Sequence, residues 1–282
     1  MVSELRRGLD LRPFLTKYVI SYILPSFMKI ALCQLLSVPG DVRKNTDAVI
    51  KALESDDADL FIFPEMFLTD YSFRDFGSVK KDVEDALNDI LSVTSRRGCT
   101  AVVGGPRYDD GVFNAAYVIS DHIAWYDKIN LPNFGPFSER ECFRPGSEPF
   151  MFECNGFRFG VIVCYDIFFP ELTKMYAMNG ADAVVCISAS PVTSKTPFER
   201  VIPARAVEST VYMLFVNNIG FRGKMEFFGK SRCLTPTGDI SIILDHDSSV
   251  RTTEMSKDDI EFARIQRPTI ADTRVWMANK KR

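Results

Sequence analysis

Apolar, strand-like segments that end at a proline, a polar residue or a cysteine recur along this chain and alternate with segments of helical periodicity. The strand-like segments include Lys29–Leu35, Leu60–Phe63, Cys99–Gly104, Arg158–Cys164 and Asp182–Ile187. Between several of them, apolar residues recur at the spacing of one helix face, which is typical of helices that lie against a sheet. The alternation, with a hairpin predicted around Asp121, predicts a single α/β domain whose helices cover sheet faces.

Capping residues predict where the helices begin. Asp41 and Ser78 are expected to cap two of them, and Pro170 is expected to open a third. Pro203 is placed in the first turn of a helix over 203–209, because a proline inside a helix costs about 3 kcal/mol.

Three stretches are distinguished along the chain. Residues 1–27 are predicted to form an N-terminal extension, residues 28–250 the domain itself and residues 251–282 a charged C-terminal arm. The apolar stretch 15–24 in the extension is shorter than the roughly 20 apolar residues of a membrane span, and Lys17 interrupts it. No association with a membrane is therefore expected.

Charge, cysteine and histidine content narrow the possible functions. The net charge of −3, without a long basic run, argues against a nucleic-acid partner. The 7 cysteines include no C-x-x-C pair, so a structural zinc site is not expected, and scattered reduced thiols suit a cytoplasmic protein. With only His122 and His246, a multi-histidine metal site is excluded, and a nucleophilic serine or cysteine has almost no imidazole to serve as its base.

Three strand ends carry chemically useful side chains. Glu65 follows L-F-I-F-P, Lys128 follows I-A-W-Y-D, and Cys164 ends G-V-I-V-C before a predicted turn into a helix. Taken singly, a thiol in an apolar strand is more often a core residue, and a lone glutamate or lysine is more often a solvated charge. Open α/β sheets, however, place their sites at the carboxyl ends of strands, so the three side chains together predict one site.

A thiol, a carboxylate and an ammonium suit nucleophilic attack on a carbon bonded to nitrogen. The thiol must first lose its proton, and because histidine is scarce, Glu65 is the available base. Phe61, Phe63 and Phe67 flank that glutamate and are expected to provide an apolar setting. Lys128 and the backbone N–H after the nucleophile, that of Tyr165, are expected to stabilise the oxyanion.

These segments resemble the three catalytic blocks of the nitrilase superfamily of carbon–nitrogen hydrolases, in the same order. The resemblance extends from Met28 to Ile243 and includes A-R-A-V-E-S-T-V-Y and F-F-G-K-S-R-C-L-T-P-T-G-D. It implies a four-layer-type α-β-β-α sandwich in a single domain, a catalytic triad of Glu65, Lys128 and Cys164, and no metal or organic cofactor. It also implies a homodimer, or a higher homo-oligomer, in which copies pack sheet to sheet.

The family carries a second glutamate in the loop after the lysine. Glu139 in F-S-E-R-E-C matches it best, and Glu141 is the alternative. The resemblance implies that this residue holds Lys128 or orients the substrate.

Candidate pocket residues follow the catalytic segments. Tyr71 and Phe73 come shortly after Glu65, although Phe73 is as well explained as a core or dimer contact. Ser188 and Ser190 lie in S-A-S-P, where many family members have Asn-Trp-Pro-like residues, which predicts a different pocket shape.

The predicted function is hydrolysis of a small linear amide through a thioester acyl-enzyme, with release of ammonia or an amine. A nitrilase acting through a thioimidate is the first alternative, since the triad does not separate the two. The loop L-P-N-F-G-P-F-S-E-R also resembles the glutaminase domains of NAD synthetases, so a separate glutaminase subunit is a further alternative. A catalytically silent scaffold on the same fold is the non-enzyme alternative, and loss of turnover in Cys164→Ala distinguishes it from an enzyme.

Overall fold

The computed structural model describes residues 27–279, so the extension predicted over 1–27 lies outside the described residues except for Phe27. The strands are β1 (Phe27–Gln34), β2 (Leu60–Ile62), β3 (Thr100–Tyr108), β4 (Val112–Ile119), β5 (Ile123–Asp127), β6 (Phe150–Cys154), β7 (Phe157–Val163), β8 (Ala183–Ser188), β9 (Tyr212–Asn217), β10 (Ile219–Arg222), β11 (Met225–Phe228), β12 (Arg232–Leu234), β13 (Ile240–Ile243) and β14 (Ser249–Ser256). The helices are α1 (Val42–Ser55), α2 (Lys80–Arg97), the one-turn α3 (Glu139–Cys142), α4 (Pro170–Met178), α5 (Lys195–Ser209), α6 (Lys257–Gln266) and α7 (Thr269–Asn279).

Most strands belong to two six-stranded sheets. The first sheet has the order β14-β1-β2-β3-β4-β5 and the second has the order β13-β12-β9-β8-β7-β6, while β10 and β11 form a separate hairpin. In the first sheet β1, β2 and β3 run parallel, and in the second β7, β8 and β9 do so. Glu65, Cys164 and Ser190 follow the carboxyl ends of β2, β7 and β8, respectively. The topology therefore brings these three residues to the carboxyl ends of sheet strands.

The alternation of side chains along β2 shows how the layers stack. Leu60 and Ile62 belong to the core shared with the second sheet, whereas Phe61 packs into a second cluster with Val49 of α1 and Val83 of α2. Helices α4 and α5 pack on the second sheet. A strand buried on both faces needs apolar residues at every position, which the L-F-I sequence supplies. The predicted α-β-β-α sandwich in a single domain is confirmed.

Two predicted helix starts are confirmed and one is wrong. The Asp41 side chain accepts a hydrogen bond from the Lys44 N–H at 3.1 Å and caps α1, and Pro170 is the first residue of α4. Ser78 does not cap α2. It lies in a 3₁₀ turn, where its hydroxyl donates to the Asp75 carbonyl instead.

The position predicted for Pro203 is also wrong, because α5 begins at Lys195 and the proline lies inside the helix. The helix keeps its course because both sides of the proline are anchored. Phe198 and Ile202 are buried before it, and Arg205 donates from Nε to the Ile167 carbonyl at 2.8 Å after it. Burying each of the two apolar side chains contributes roughly 1.5–3 kcal/mol, which offsets the cost of the lost backbone hydrogen bond.

The segment predicted as a charged arm over 251–282 begins inside a strand. β14 pairs antiparallel with β1 along its whole length, from Phe27 opposite Ser256 to Gln34 opposite Ser249. α6 and α7 follow it, and residues 280–282 lie outside the described part. Among residues 27–279, no helix combines the length and apolar character that a membrane crossing requires.

Candidate active site

Glu65 lies in a tight, fully buried turn after β2. The turn packs so closely on β3 that a Cβ atom at Gly104 would lie 2.4 Å from both the Met66 nitrogen and the Pro64 oxygen. Met66 adopts a φ of 54°, a left-handed conformation that side chains other than glycine rarely take. Such a conformation costs about 1–3 kcal/mol and persists where the surrounding packing imposes it. Here it is part of the turn that places the Glu65 side chain in the interior.

Both carboxylate oxygens of Glu65 accept hydrogen bonds. Oε1 accepts from Lys128 Nζ and from Asn114 Nδ2, each at 2.7 Å, and Oε2 accepts from the Ala189 N–H at 2.7 Å. Asn218 Nδ2 donates to the Glu65 backbone carbonyl at 2.8 Å. The side chain is therefore held in one orientation by groups from four other segments of the chain.

Lys128 links two buried carboxylates. It follows β5, and its fully buried Nζ lies 2.7 Å from Glu65 Oε1 and 2.8 Å from Glu139 Oε1. Burial alone would lower the pKa of the ammonium, but the charges of Glu139 and Glu65 outweigh it, and the pKa of Lys128 lies well above its ordinary value. The lysine therefore stays protonated and cannot act as a base at neutral pH.

Glu139 is the first residue of the one-turn helix α3. Burial raises the pKa of its carboxyl, against the opposing charge of Lys128, and its Oε1 also accepts from the Tyr71 hydroxyl at 2.7 Å. Glu141, the other candidate for the second glutamate, is exposed on the same turn. The geometry thus makes Glu139 the carboxylate that holds Lys128.

Cys164 is the first residue after β7 and has a φ of 50°, so it lies on a sharp turn into the 3₁₀ segment Cys164–Phe168. Its Sγ lies 3.4 Å from Ser190 Oγ, which in turn lies 2.6 Å from Ser188 Oγ. Burial and the charge of Glu65 raise the pKa of the thiol to about 12, while Lys128 and the two serine hydroxyls oppose the shift. The free protein therefore holds this thiol in its neutral form at neutral pH.

Asp166 braces the turn that carries Cys164. Its Oδ1 accepts from the backbone N–H and from Nδ2 of Asn130, each at 2.8 Å. Its Oδ2 accepts from the Tyr126 hydroxyl at 2.8 Å and from the Val163 N–H at 3.1 Å. Burial raises the pKa of this carboxyl despite these donors. The aspartate thus ties the segment after Lys128 to the segment of the thiol.

Comparison with known proteins decides the family of this chain. The family described as carbon-nitrogen hydrolase matches residues 29–265. The chain belongs to the carbon-nitrogen hydrolase family. The resemblance to the nitrilase superfamily is thereby confirmed, and so is its enzyme class, a hydrolase acting on carbon–nitrogen bonds.

Individual relatives of this carbon-nitrogen hydrolase have different stated activities. A glutamine-dependent NAD(+) synthetase of Aquifex aeolicus is 30% identical over 223 residues, which are 76% of this chain and 39% of the synthetase. An (R)-stereoselective amidase of a Pseudomonas species is 27% identical over 90% of this chain and 94% of its own length. The crystal structure of an amidase from a Nesterenkonia species is 26% identical, with a TM-score of 0.75, over 85% of this chain and 94% of that one. The chain spans about two fifths of the length of the synthetases it matches.

A cavity of about 190 Å³ opens beside the thiol of this carbon-nitrogen hydrolase, and we call it the aromatic cavity. Its lining consists of Pro132, Phe134, Phe137, Cys164, Tyr165, Phe168, Ser190, Ser194, Pro197 and Phe198. Of the residues predicted to form the pocket, Ser190 lines the cavity and Ser188 supports it from behind. Tyr71 reaches the site only through Glu139, and Phe73 packs against Phe76 at a centroid distance of 6.0 Å.

Three asparagines that the sequence analysis did not predict hold the candidate catalytic segments in place. Asn114 lies within β4 and donates to Glu65, while Asn217 and Asn218 lie at the end of β9. Asn217 Oδ1 accepts from the Ser190 N–H at 2.8 Å. Glu65 was predicted as a site residue because a polar side chain there directly follows an apolar strand. The segment L-F-V-N-N has the same pattern, so the sequence also contains a signal for Asn217 and Asn218.

Other features of the surface lie away from this chemistry. A larger groove, of about 550 Å³, lies between α1 and α2 and is lined by residues of 39–47 and 82–89, none of which belongs to the site. Within the described residues 27–279, no group of three or more histidine, cysteine, aspartate or glutamate side chains is arranged to hold a metal ion.

Proposed function

We propose that this carbon-nitrogen hydrolase is an amidase, with Cys164 as nucleophile, Glu65 as general base and acid, and Lys128 as the cation that stabilises the oxyanion. The observation that carries the proposal is the buried Glu65–Lys128–Glu139 network directly beside a thiol that lines a cavity. Removing charges from water is costly even when they are paired, so a buried ion network contributes little to stability. Its position beside a thiol therefore favours a functional role over a structural one.

In the first half of the reaction, the Glu65 carboxylate takes the proton of Cys164 as the sulfur attacks the amide carbon. A carbon–sulfur bond forms, and the carbonyl electrons move onto oxygen. When the oxyanion collapses, the carbon–nitrogen bond breaks and Glu65 returns its proton to the departing nitrogen. Ammonia or an amine leaves, and the acyl group remains on the enzyme as a thioester.

In the second half, a water molecule attacks the thioester carbon while Glu65 takes its proton. The carbon–sulfur bond breaks, the proton passes to the sulfur, and a carboxylic acid leaves. In both halves, Lys128 Nζ and the Tyr165 N–H are the proposed donors to the oxyanion. Glu139 keeps Lys128 in place, since the ammonium bridges the two glutamates.

The high pKa of the free thiol fits this sequence of steps. A thiol with a pKa of about 12 is almost entirely protonated at neutral pH, so the proton must move when the substrate is bound. A neighbouring base that removes it during the attack meets that need. The serine pair adds donors that stabilise the thiolate once it forms.

The test is release of ammonia from a panel of amides and nitriles and from glutamine, with peptide-level mass spectrometry of Cys164. We expect turnover of at least one amide and a transient acyl adduct on Cys164. Lys128→Met and Cys164→Ala are expected to remove turnover while the far-ultraviolet circular dichroism spectrum stays unchanged. Turnover of nitriles alone would favour the nitrilase alternative, and undiminished turnover in Cys164→Ala would refute the mechanism.

A glutaminase is the second candidate, because glutamine-dependent NAD(+) synthetases match 76% of this chain. As a glutaminase, the chain would hydrolyse the side-chain amide of glutamine and release ammonia. Glutamine in the panel tests this candidate directly.

We further propose that the chain works as a homodimer or higher homo-oligomer in a reducing, cytoplasmic setting. Phe262, Ile265 and Val275 on α6 and α7 are exposed by 57%, 70% and 63%, and a second copy is expected to cover part of this surface. A thiol nucleophile must remain reduced, and all seven cysteines are free. Light scattering coupled to size exclusion measures the oligomer, and a monomer at micromolar concentration would contradict this proposal.

A further inference from the structure

The aromatic cavity carries information about the substrate because its lining is chemically uniform. Of the ten residues around it, four are phenylalanines, two are prolines and one is a tyrosine, and the others are Cys164, Ser190 and Ser194. None of these described residues carries a charge. A group that enters the cavity therefore meets a lining that is apolar except for hydroxyl groups and the thiol.

The aromatic rings pack against one another and form a continuous wall. Tyr165 lies between Phe134, at a centroid distance of 5.1 Å, and Phe168, at 5.8 Å. Phe168 in turn packs edge-to-face on Phe198 at 5.0 Å. Phe134 is 52% exposed and Phe198 is 3% exposed, so the wall runs from the surface to the interior. Contacts of this kind favour flat or branched apolar groups.

Three cations near the cavity along the chain already have hydrogen-bond or ion-pair partners. Lys195, next to Ser194, lies 3.7 Å from Glu199 across one turn of α5. Arg140 donates from Nε to the Leu131 carbonyl at 3.3 Å. At the inner end, the ammonium of Lys128 is bound by two carboxylates. Because none of the lining residues carries a charge, a charged substituent inside the cavity would lose its water without an opposite charge in the lining to compensate, which is costly.

We propose that the site takes primary amides whose acyl group is uncharged and apolar, up to about the size of one six-membered ring, and that it discriminates against glutamine. The inference rests on the proposed amidase function. The volume fits this class, since an apolar cavity of about 150 Å³ in another protein binds benzene. Glutamine, by contrast, would bring an ammonium and a carboxylate into the same space. The inference therefore separates this chain from the glutamine-dependent relatives that share its fold.

Three amides of equal chain length test the proposal. Pentanamide, glutaramate and L-glutamine each have a five-carbon acyl chain, but glutaramate adds a terminal carboxylate and glutamine adds an ammonium as well. We expect the kcat/KM of pentanamide to exceed that of either charged amide by at least about 100-fold, because an unpaired charge would be desolvated. Phenylacetamide should be turned over with a kcat/KM similar to or above that of pentanamide.

The outcomes distinguish this inference from the proposed function. If glutamine or glutaramate reacts as fast as pentanamide through a Cys164 adduct, the inference is wrong while the hydrolase mechanism stands. If none of the amides is turned over and no adduct forms, the proposed function itself fails, and this inference fails with it.

Substitutions in the wall provide a second measurement. Phe168→Ala is expected to lower the ratio of kcat/KM for phenylacetamide over acetamide by at least about tenfold, because the larger acyl group loses its contact surface. Phe134→Arg, at the exposed mouth, is expected to raise the ratio of kcat/KM for glutaramate over pentanamide by about fivefold. This is the effect expected of an ion pair that remains partly exposed to solvent. Ile240→Ala, at an exposed position of β13 outside the cavity lining, is the control and should leave both ratios unchanged. Unchanged ratios in both wall variants, provided that they fold, would overturn the proposal.

Discussion

The hydroxyl of Ser190 offers a direct test of how this protein stabilises the thiolate of Cys164, the proposed nucleophile. In the neutral state the thiol and the two serines form a short chain, with Cys164 Sγ 3.4 Å from Ser190 Oγ and Ser190 Oγ 2.6 Å from Ser188 Oγ. When the sulfur loses its proton, Ser190 can donate to it and Ser188 can donate to Ser190. Ser190→Ala removes the donor to the sulfur and leaves the charged carboxylate beside it.

The expected magnitude follows from the geometry. A hydrogen bond to a charged acceptor contributes about 1.5–3 kcal/mol, and the long sulfur contact places this one at or just below the lower end. A loss of about 1.4 kcal/mol corresponds to one unit of pKa. Because the serine hydroxyls hold the pKa of Cys164 down against burial and Glu65, their loss must raise it. At any pH below that value, the thiolate fraction should fall about tenfold.

The assay is the rate at which methyl methanethiosulfonate modifies Cys164 between pH 7 and 10, followed at peptide level so that the other cysteines do not contribute. Ser190→Ala should react about threefold to fourfold more slowly than the parent protein at each pH, because the thiolate of higher pKa is also the stronger nucleophile, and Ser188→Ala should show a smaller effect. Ser190→Thr keeps the hydroxyl and should restore most of the rate. Ser194→Ala removes another hydroxyl of the same cavity and should leave the rate within about twofold.

One result would refute this reasoning. If Ser190→Ala reacts as fast as the parent protein across the whole pH range, and Ser190→Thr does not differ from it, the hydroxyl does not stabilise the thiolate. The serine pair would then serve only to shape the cavity, and Lys128 would be the main group that opposes the rise in pKa.

Two further predictions concern the scaffold. Gly104→Ala places a methyl group 2.4 Å from backbone atoms of the turn that carries Glu65, so we expect a loss of about 1–3 kcal/mol in the free energy of unfolding and a large fall in kcat. Gly77→Ala, whose nearest neighbour would be 3.9 Å away, is the control for both measurements, and equal behaviour of the two variants would contradict the close packing. Burial raises the pKa of Cys233 to about 12, so on unfolding this thiol releases a proton once the pH exceeds its ordinary value of about 8.5. The stabilising contribution of the buried, protonated thiol is complete below that pH and is lost as the pH rises toward 12. In denaturant titrations between about pH 9 and 11, the free energy of unfolding of Cys233→Ala should therefore fall less steeply with pH than that of the parent, by about 1.4 kcal/mol per pH unit. An identical slope in the two proteins would contradict the prediction.

Local sequence was sufficient to predict an α/β domain with helices on its sheet faces and the turn at Cys164, whereas the α-β-β-α layers were predicted from the family resemblance. The continuous apolar run L-F-I of β2 indicates a strand buried on both faces, and Asp41 and Pro170 are residue types that favour the start of a helix. These features depend on residues within one or two turns of each other, so the sequence alone contains their cause.

Tertiary structure alone decided how the site is joined and what surrounds it. Lys128 bonds to a carboxylate 63 positions away, and Asn218 holds the same glutamate from a distance of 153 positions. Pro203 lies inside a helix because packing on both sides outweighs its local cost. A periodic pattern tells which face of a strand or helix is buried, but not which distant segment lies opposite. The choice between Glu139 and Glu141, and the uncharged aromatic wall beside the thiol, therefore became visible only when the sheets were packed together.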